Sequence, residues 1–110
     1  MRIIVMFVLL LLVNISFAAT QSGKVSGFLP YSSGDKKIII FKLVNNVSEG
    51  CNVTGRFAMD DSSPRYQATL SSVIAAFHAQ STVNVNYLNT CNAWSNSADV
   101  NYICVGNINC

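Results

Sequence analysis

Charge is scarce in this chain. Seven Lys and Arg and five Asp and Glu make up 11% of its 110 residues. They stand singly or in pairs, so no basic stripe runs along the sequence to follow a phosphate backbone, and nucleic acid is not an expected partner. Histidine occurs once, as His78. That leaves no histidine pair for zinc and no cysteine–histidine couple for an activated nucleophile. GxSxG, HExxH, CxxC and a phosphate-cradling glycine loop are all missing. The chain is therefore not expected to be an enzyme, and neither a cofactor nor a metal is expected.

Long apolar runs are missing too, except at the start. "MRIIVMFVLLLLVNISFAA" has a positive residue, an unbroken apolar run from Ile3 to Val13, and the small-x-small trio Ser16-Phe17-Ala18. This is the pattern of a secretory leader cleaved after Ala18. A run this short, interrupted by Asn14, does not reach the roughly 20 residues of a spanning helix. The expected organisation is a signal peptide, 1–18, and one small domain, 19–110, in a secreted or periplasmic bacterial protein with no membrane span after cleavage. In that domain Lys24, Lys36, Lys37, Lys42, Arg56 and Arg65 nearly balance Asp35, Glu49, Asp60, Asp61 and Asp99. Its four cysteines, Cys51, Cys91, Cys104 and Cys110, are even in number, as an exported disulfide-stapled domain requires. Three pairings are open.

What is present is a series of short β-prone runs broken by turn formers. "KVSGFLPY" (24–31) reads as a first strand, with Pro30 placing its end at an edge or bulge. "KKIIIFKLV" (36–44) follows the turn cluster "SSGD" and is the most β-prone run. "VTGRFAM" (53–59) alternates as a third strand, with Val53, Phe57 and Met59 on one side and a bulge at Gly55. The period then changes. Ser62 or Ser63 serves as a helix cap, Pro64 suits the first position, and Tyr66, Leu70, Val73, Ile74 and Phe77 form one apolar stripe. After Gln80 and Ser81, Val83, Val85 and Tyr87 alternate with Asn84 and Asn86 as a fourth strand. "NTCNAWSNSA" (89–98) is a polar loop with the only tryptophan, and "DVNYICV" (99–105) is the last strand. Three strands, a helix and two strands are the element order of the OB-fold, a mainly β, five-stranded Greek-key barrel. Its open mouth gives a single-stripe helix something to plug. An open α+β sandwich has the same order and is the alternative.

Residues that suggest chemistry also have plainer readings. His78 lies beside the stripe and reads as a solvated helix position. Asp60-Asp61 precede a helix, where the helix dipole favours acids. Asn46-Val-Ser and Asn52-Val-Thr match the glycosylation acceptor pattern, which carries no weight in so Asn- and Ser-rich a chain. The stronger signal is Tyr31, Ser32 and Ser33 near the first turn and Trp94, Ser95 and Asn96 in the last loop. In OB-folds these two connections flank one ligand surface. An aromatic face beside amides and hydroxyls suits a sugar. The alternative for Trp94 is a cover over the core edge or a disulfide.

"RYQATLSSVIAAFHAQSTVNVNYLNTCNAW" resembles the central region of the B subunits of subtilase cytotoxin and its typhoid and pertussis-like relatives. Tyr66, Leu70, Ala75, Ala76 and Phe77 match that family's helix, and Val83, Val85 and Tyr87 match its following strand. "VSGFL" (25–29) is similar to the family's first strand, and "CVGNINC" to its closing cysteine pair. The resemblance implies an exported OB-fold protein that forms pentameric rings, binds sialylated or other host glycans and carries an enzymatic A subunit. It places Ser26 in the glycan site, beside Tyr31, Ser33 and Trp94. The chain departs from the family in its other cysteines, since Cys91 follows the fourth strand, and in its shortened last loop. In an OB barrel the start of the third strand and the end of the fourth share one end, so Cys51 is expected to join Cys91, leaving Cys104 for Cys110. The alternative function is a stand-alone exported OB module with a protein or peptide partner and no toxin role.

Overall fold

The computed structural model describes residues 18–110. The expected leader lies outside the described residues apart from Ala18, which opens the first strand. The elements are β1 (Ala18–Ser33), β2 (Lys36–Leu43), β3 (Arg56–Asp60), α1 (Tyr66–Ala79), β4 (Thr82–Leu88) and β5 (Ser97–Val105). The strands close into a barrel in the order β1-β2-β3-β5-β4. The chain is thus mainly β with one helix between β3 and β4, an OB-fold-like five-stranded barrel, and the open sandwich does not apply.

Closure depends on β1, which serves two neighbours. Residues 18–24 pair antiparallel with β4, and Val25–Ser33 pair with β2. The change of partner coincides with a bulge at Ser26, the local bend that lets one strand turn a barrel corner. Pro30 lies in the half of β1 that pairs on one side only, a position open to a residue without an N–H. Gly34, with φ of +60°, opens the two-residue turn into β2. The seam on the other side is short: β3 and β5 run parallel over three register positions.

Alternation along the strands sorts side chains into an inner and an outer set. Inside are Val25, Ile39, Phe41, Leu43, Phe57, Met59, Val83, Val85, Tyr87, Ala98 and Val100, all buried. The helix closes this core at one mouth with Tyr66, Val73 and Ala76, and Phe77 meets Phe28 edge-on at 5.4 Å. Outside, a second and smaller cluster forms from Ile38, Ile40, Ala58 and Ala93, with Trp94 packed on it. A continuous apolar run such as Ile38–Phe41 is what a strand buried on both faces needs.

Three expectations about local structure change. β3 begins at Arg56, not at residue 53; Val53 is 72% exposed and Gly55 sits before the strand at φ of +71°. The residue is a turn glycine: its missing Cβ leaves room for the Asn46 side-chain amide, which donates to the Gly55 carbonyl. The helix starts at Tyr66, and Arg65 occupies the cap position without a side-chain cap. Ser62 and Ser63 instead order the preceding turn, Ser63 Oγ accepting from the Arg65 N–H at 3.1 Å. Pro64 lies in that turn too, outside the helix. At the other end Gln80, in the left-handed conformation, caps α1 with its own amide donating to the Phe77 carbonyl at 2.7 Å.

Both disulfides have the expected partners, Cys51–Cys91 and Cys104–Cys110. Disulfides belong to oxidising compartments. Among the described residues no helix is long and apolar enough to cross a membrane.

Candidate functional site

The outer face of β1, β2 and β3 carries the aromatic residues singled out from the sequence. Tyr31 sits opposite Ile38, and Leu29 opposite Ile40, on neighbouring strands. Ile40 in turn lies opposite Ala58. The β4–β5 loop folds over this sheet, laying Trp94 on Ile38, Ile40 and Ala58. The rings of Tyr31 and Trp94 meet edge-to-face with centroids 5.2 Å apart, a favoured aromatic geometry. Tyr31 is 43% exposed and Trp94 is half-buried. Trp94 therefore covers an apolar cluster, as the plainer reading has it, while the pair still presents an aromatic surface to solvent.

The loop is held from several directions. The Asp99 carboxylate accepts from the N–H groups of Asn92 and Ala93 at 2.9 Å and from the Thr90 hydroxyl at 2.5 Å. Lys36 Nζ donates to the carbonyls of Asn92 and Ala93 at 3.3 and 3.1 Å. Thr54 Oγ1 donates to the Asn96 carbonyl at 2.8 Å, and Cys91 is bonded to Cys51. Two of these ties reach the β2–β3 connection, so both long loops are fastened to each other at one end of the barrel. An aromatic group fixed in this way loses little freedom when a ligand arrives.

Lys36 also pairs with Asp60 at 3.2 Å, the one ion pair among the described residues. Burial pushes the Asp60 carboxyl up, but the Ser62 hydroxyl and backbone N–H and the Lys36 ammonium outweigh it and hold the group below its ordinary value. At the end of the barrel where the β2–β3 connection lies, Tyr87 OH donates to Glu49 at 2.6 Å and accepts from Gln21 at 3.0 Å. Burial first, and then the Glu49 carboxylate, raise the Tyr87 hydroxyl above its usual range.

Of the residues expected in a glycan site, Tyr31 and Trp94 are brought together. Ser33 ends β1 beside the turn, exposed, opposite Lys36. Ser26 lies away from the aromatic pair, at the bulge, where its hydroxyl donates to the Lys42 carbonyl at 3.1 Å. It opens onto a shallow groove of about 290 Å³ that includes Gly27, Leu29, Ile40, Lys42 and Arg56. Lys42 and Arg56 are site residues that sequence reasoning missed. Lys42 could have been found as the cation that interrupts the apolar run Ile38–Leu43; Arg56 becomes its neighbour only through the β2–β3 register. Elsewhere His78 is exposed on α1, and Asn52 is buried at 1% exposure, with its carbonyl accepting from the Arg56 N–H. Among the described residues no group of three His, Cys, Asp or Glu is placed to hold a metal.

The fold and this surface define the class as an OB-fold-like barrel with an aromatic outer face. No protein-family model, curated protein or solved structure matches the chain.

Proposed function

We propose that this protein is a secreted glycan-binding module of the kind that serves as the B subunit of an AB5-type toxin. In this reading it forms a ring, recognises host cell-surface sugars and carries an enzymatic A subunit. The observation that carries it is the Trp94–Tyr31 pair on the outer β2–β3 face, between the β1–β2 and β4–β5 connections. OB barrels take oligosaccharides on this face and these loops. The exposed aromatic edge offers C–H stacking, and the Ser32, Ser33, Ser95 and Asn96 groups near it offer hydrogen bonds to hydroxyls. The scarcity of positive charge favours sugars over the oligonucleotides that the same face can take.

Trp94→Ala tests the reading. Wild-type protein on a glycan array should bind a defined set of sugars, and the variant should lose about tenfold or more in affinity while remaining folded by circular dichroism. An array with no hits overturns the proposal. Light scattering on the native protein should report a multiple of the chain mass; a monomer removes the ring and with it the toxin role. Val47 and Val53, exposed at 58% and 72% in the β2–β3 connection, favour a second reading, a partner protein docked at that end of the barrel.

A further inference from the structure

The β2–β3 connection, residues 45–55, is folded inside out. Two of its asparagines are turned in. Asn52 is 1% exposed, its Oδ1 accepting from the Arg56 N–H at 3.1 Å, and the half-buried Asn46 amide donates to the Gly55 carbonyl. The Asn52 amide nitrogen is buried with no partner among the described residues. The valines are turned out: Val47 is 58% exposed, and Val53, next to Asn52, is 72% exposed. Folding alone favours the opposite arrangement, because burying an amide costs free energy and leaving a valine in water gains none. The loop is also held firmly in this form. The Gln21 side chain donates to the Val47 carbonyl at 3.1 Å and accepts from its N–H at 2.8 Å. Glu49 bridges to Asn52, and Cys51 is bonded to Cys91. Val44, 47% exposed, adds a third valine where the chain leaves β2.

A collar of cations surrounds this patch. Lys42 lies two residues before Val44 and on the same side of the strand, and Arg56 follows the loop at the head of β3. The Lys24 carbonyl accepts from the Val44 N–H at 2.9 Å. All three cations are exposed, and none is in an ion pair among the described residues. The loop's one carboxylate, Glu49, is occupied by the Tyr87 hydroxyl. Exposed valines ringed by unpaired cations fit an anionic lipid surface. The valines enter the headgroup layer, and each cation gains from the surface potential. Three valines cover far less than the roughly 800 Å² per side of a stable protein interface, whereas a bilayer asks for no matching shape. The path of the chain adds a second reason. β1 starts at this end with Ala18, and the apolar run of the expected leader, Ile3–Val13, ends five residues before it. A precursor held by that run presents this end of the barrel to the membrane. We infer that the β2–β3 end docks peripherally on an anionic phospholipid surface, through Val44, Val47 and Val53 and the cations around them. This contact uses none of the aromatic residues, so it stands or falls apart from the glycan reading above.

Co-sedimentation of the exported protein with vesicles tests it, using phosphatidylcholine alone and phosphatidylcholine mixed with phosphatidylglycerol. Wild type should bind the mixed vesicles about tenfold or more tighter than the neutral ones, with the gap closing at high salt. Val47→Ser/Val53→Ser should weaken binding to the mixed vesicles by about tenfold or more. Lys24→Gln/Lys42→Gln/Arg56→Gln should weaken it by about a hundredfold and remove the preference for them. Every substituted side chain is exposed, so both variants should melt close to wild type. Wild type that ignores the mixed vesicles, or variants that bind them as wild type does, overturns the lipid surface and leaves this end to a partner protein.

Discussion

At the scale of single residues, the polar groups that matter most are those that fix loops. Asp60 closes β3 and at once accepts from Ser62 and Lys36. Because its folded-state carboxyl is held below the usual value, its contribution to stability is fully present above the unfolded value of about 3.9. That contribution disappears as pH falls through the lower folded value. Asp60→Ala should therefore cost about 1 to 2 kcal/mol at pH 7 and less at pH 2. Urea melts at the two pH values check this, and an equal loss at both would refute the electrostatic origin. The aromatic residues of the site were legible because Tyr31 and Trp94 each stand in turn-rich polar sequence. Their contact was not, because it forms between positions 63 apart through a loop whose path the Asp99 carboxylate sets. Lys42 and Arg56 were hidden for the related reason that register, absent from a single sequence, makes them neighbours.

At the scale of elements, the strongly periodic segments were the readable ones. β2, β4 and the body of α1 have the expected bounds to within two residues of their periodic cores. The misread parts are those where pairing, not patterning, makes the strand. "AATQSG" at the start of β1 has no alternation and is mostly exposed, yet it is strand because β4 needs a partner to close the barrel. Val53 falls in phase with Phe57 and Met59, yet the positive φ at Gly55 keeps it out of β3. Within α1 the buried line runs through Tyr66, Thr69, Val73 and Ala76, with Leu70 and Phe77 at its flank. Apart from Tyr66 the buried line consists of small residues, and the larger Leu70 and Phe77 pack against the core beside it. Phe77 is the main seal through its contact with Phe28. Phe77→Ala should lower stability by about 2 to 3 kcal/mol, whereas His78→Ala, one position on and exposed, should stay within about 0.5 kcal/mol. Thermal melts of the two variants compare plug with surface directly, and equal losses would remove the plug role.

At the scale of the whole molecule, the barrel leaves its two long connections at one end and then joins them. Cys51–Cys91 spans 40 residues of sequence, while Cys104–Cys110 spans 6 and secures only the tail. Chain-entropy reasoning gives the longer closure about 4 kcal/mol and the shorter about 2 kcal/mol. The longer bond also bears on the ligand face, since it and the Thr54–Asn96 hydrogen bond anchor the loop that lays Trp94 on Ile38 and Ile40. Stability and binding are coupled through that bond. Cys51→Ser/Cys91→Ser should melt well below wild type, and Trp94 fluorescence should shift to the red before the barrel unfolds. Affinity for the array-selected sugar should fall more than in Cys104→Ser/Cys110→Ser, whose bond touches neither loop. If both double variants lose stability alike and Trp94 emission stays fixed until global melting, the Asp99, Lys36 and Thr54 contacts hold the loop without the disulfide, and the bond serves the fold without organising the site.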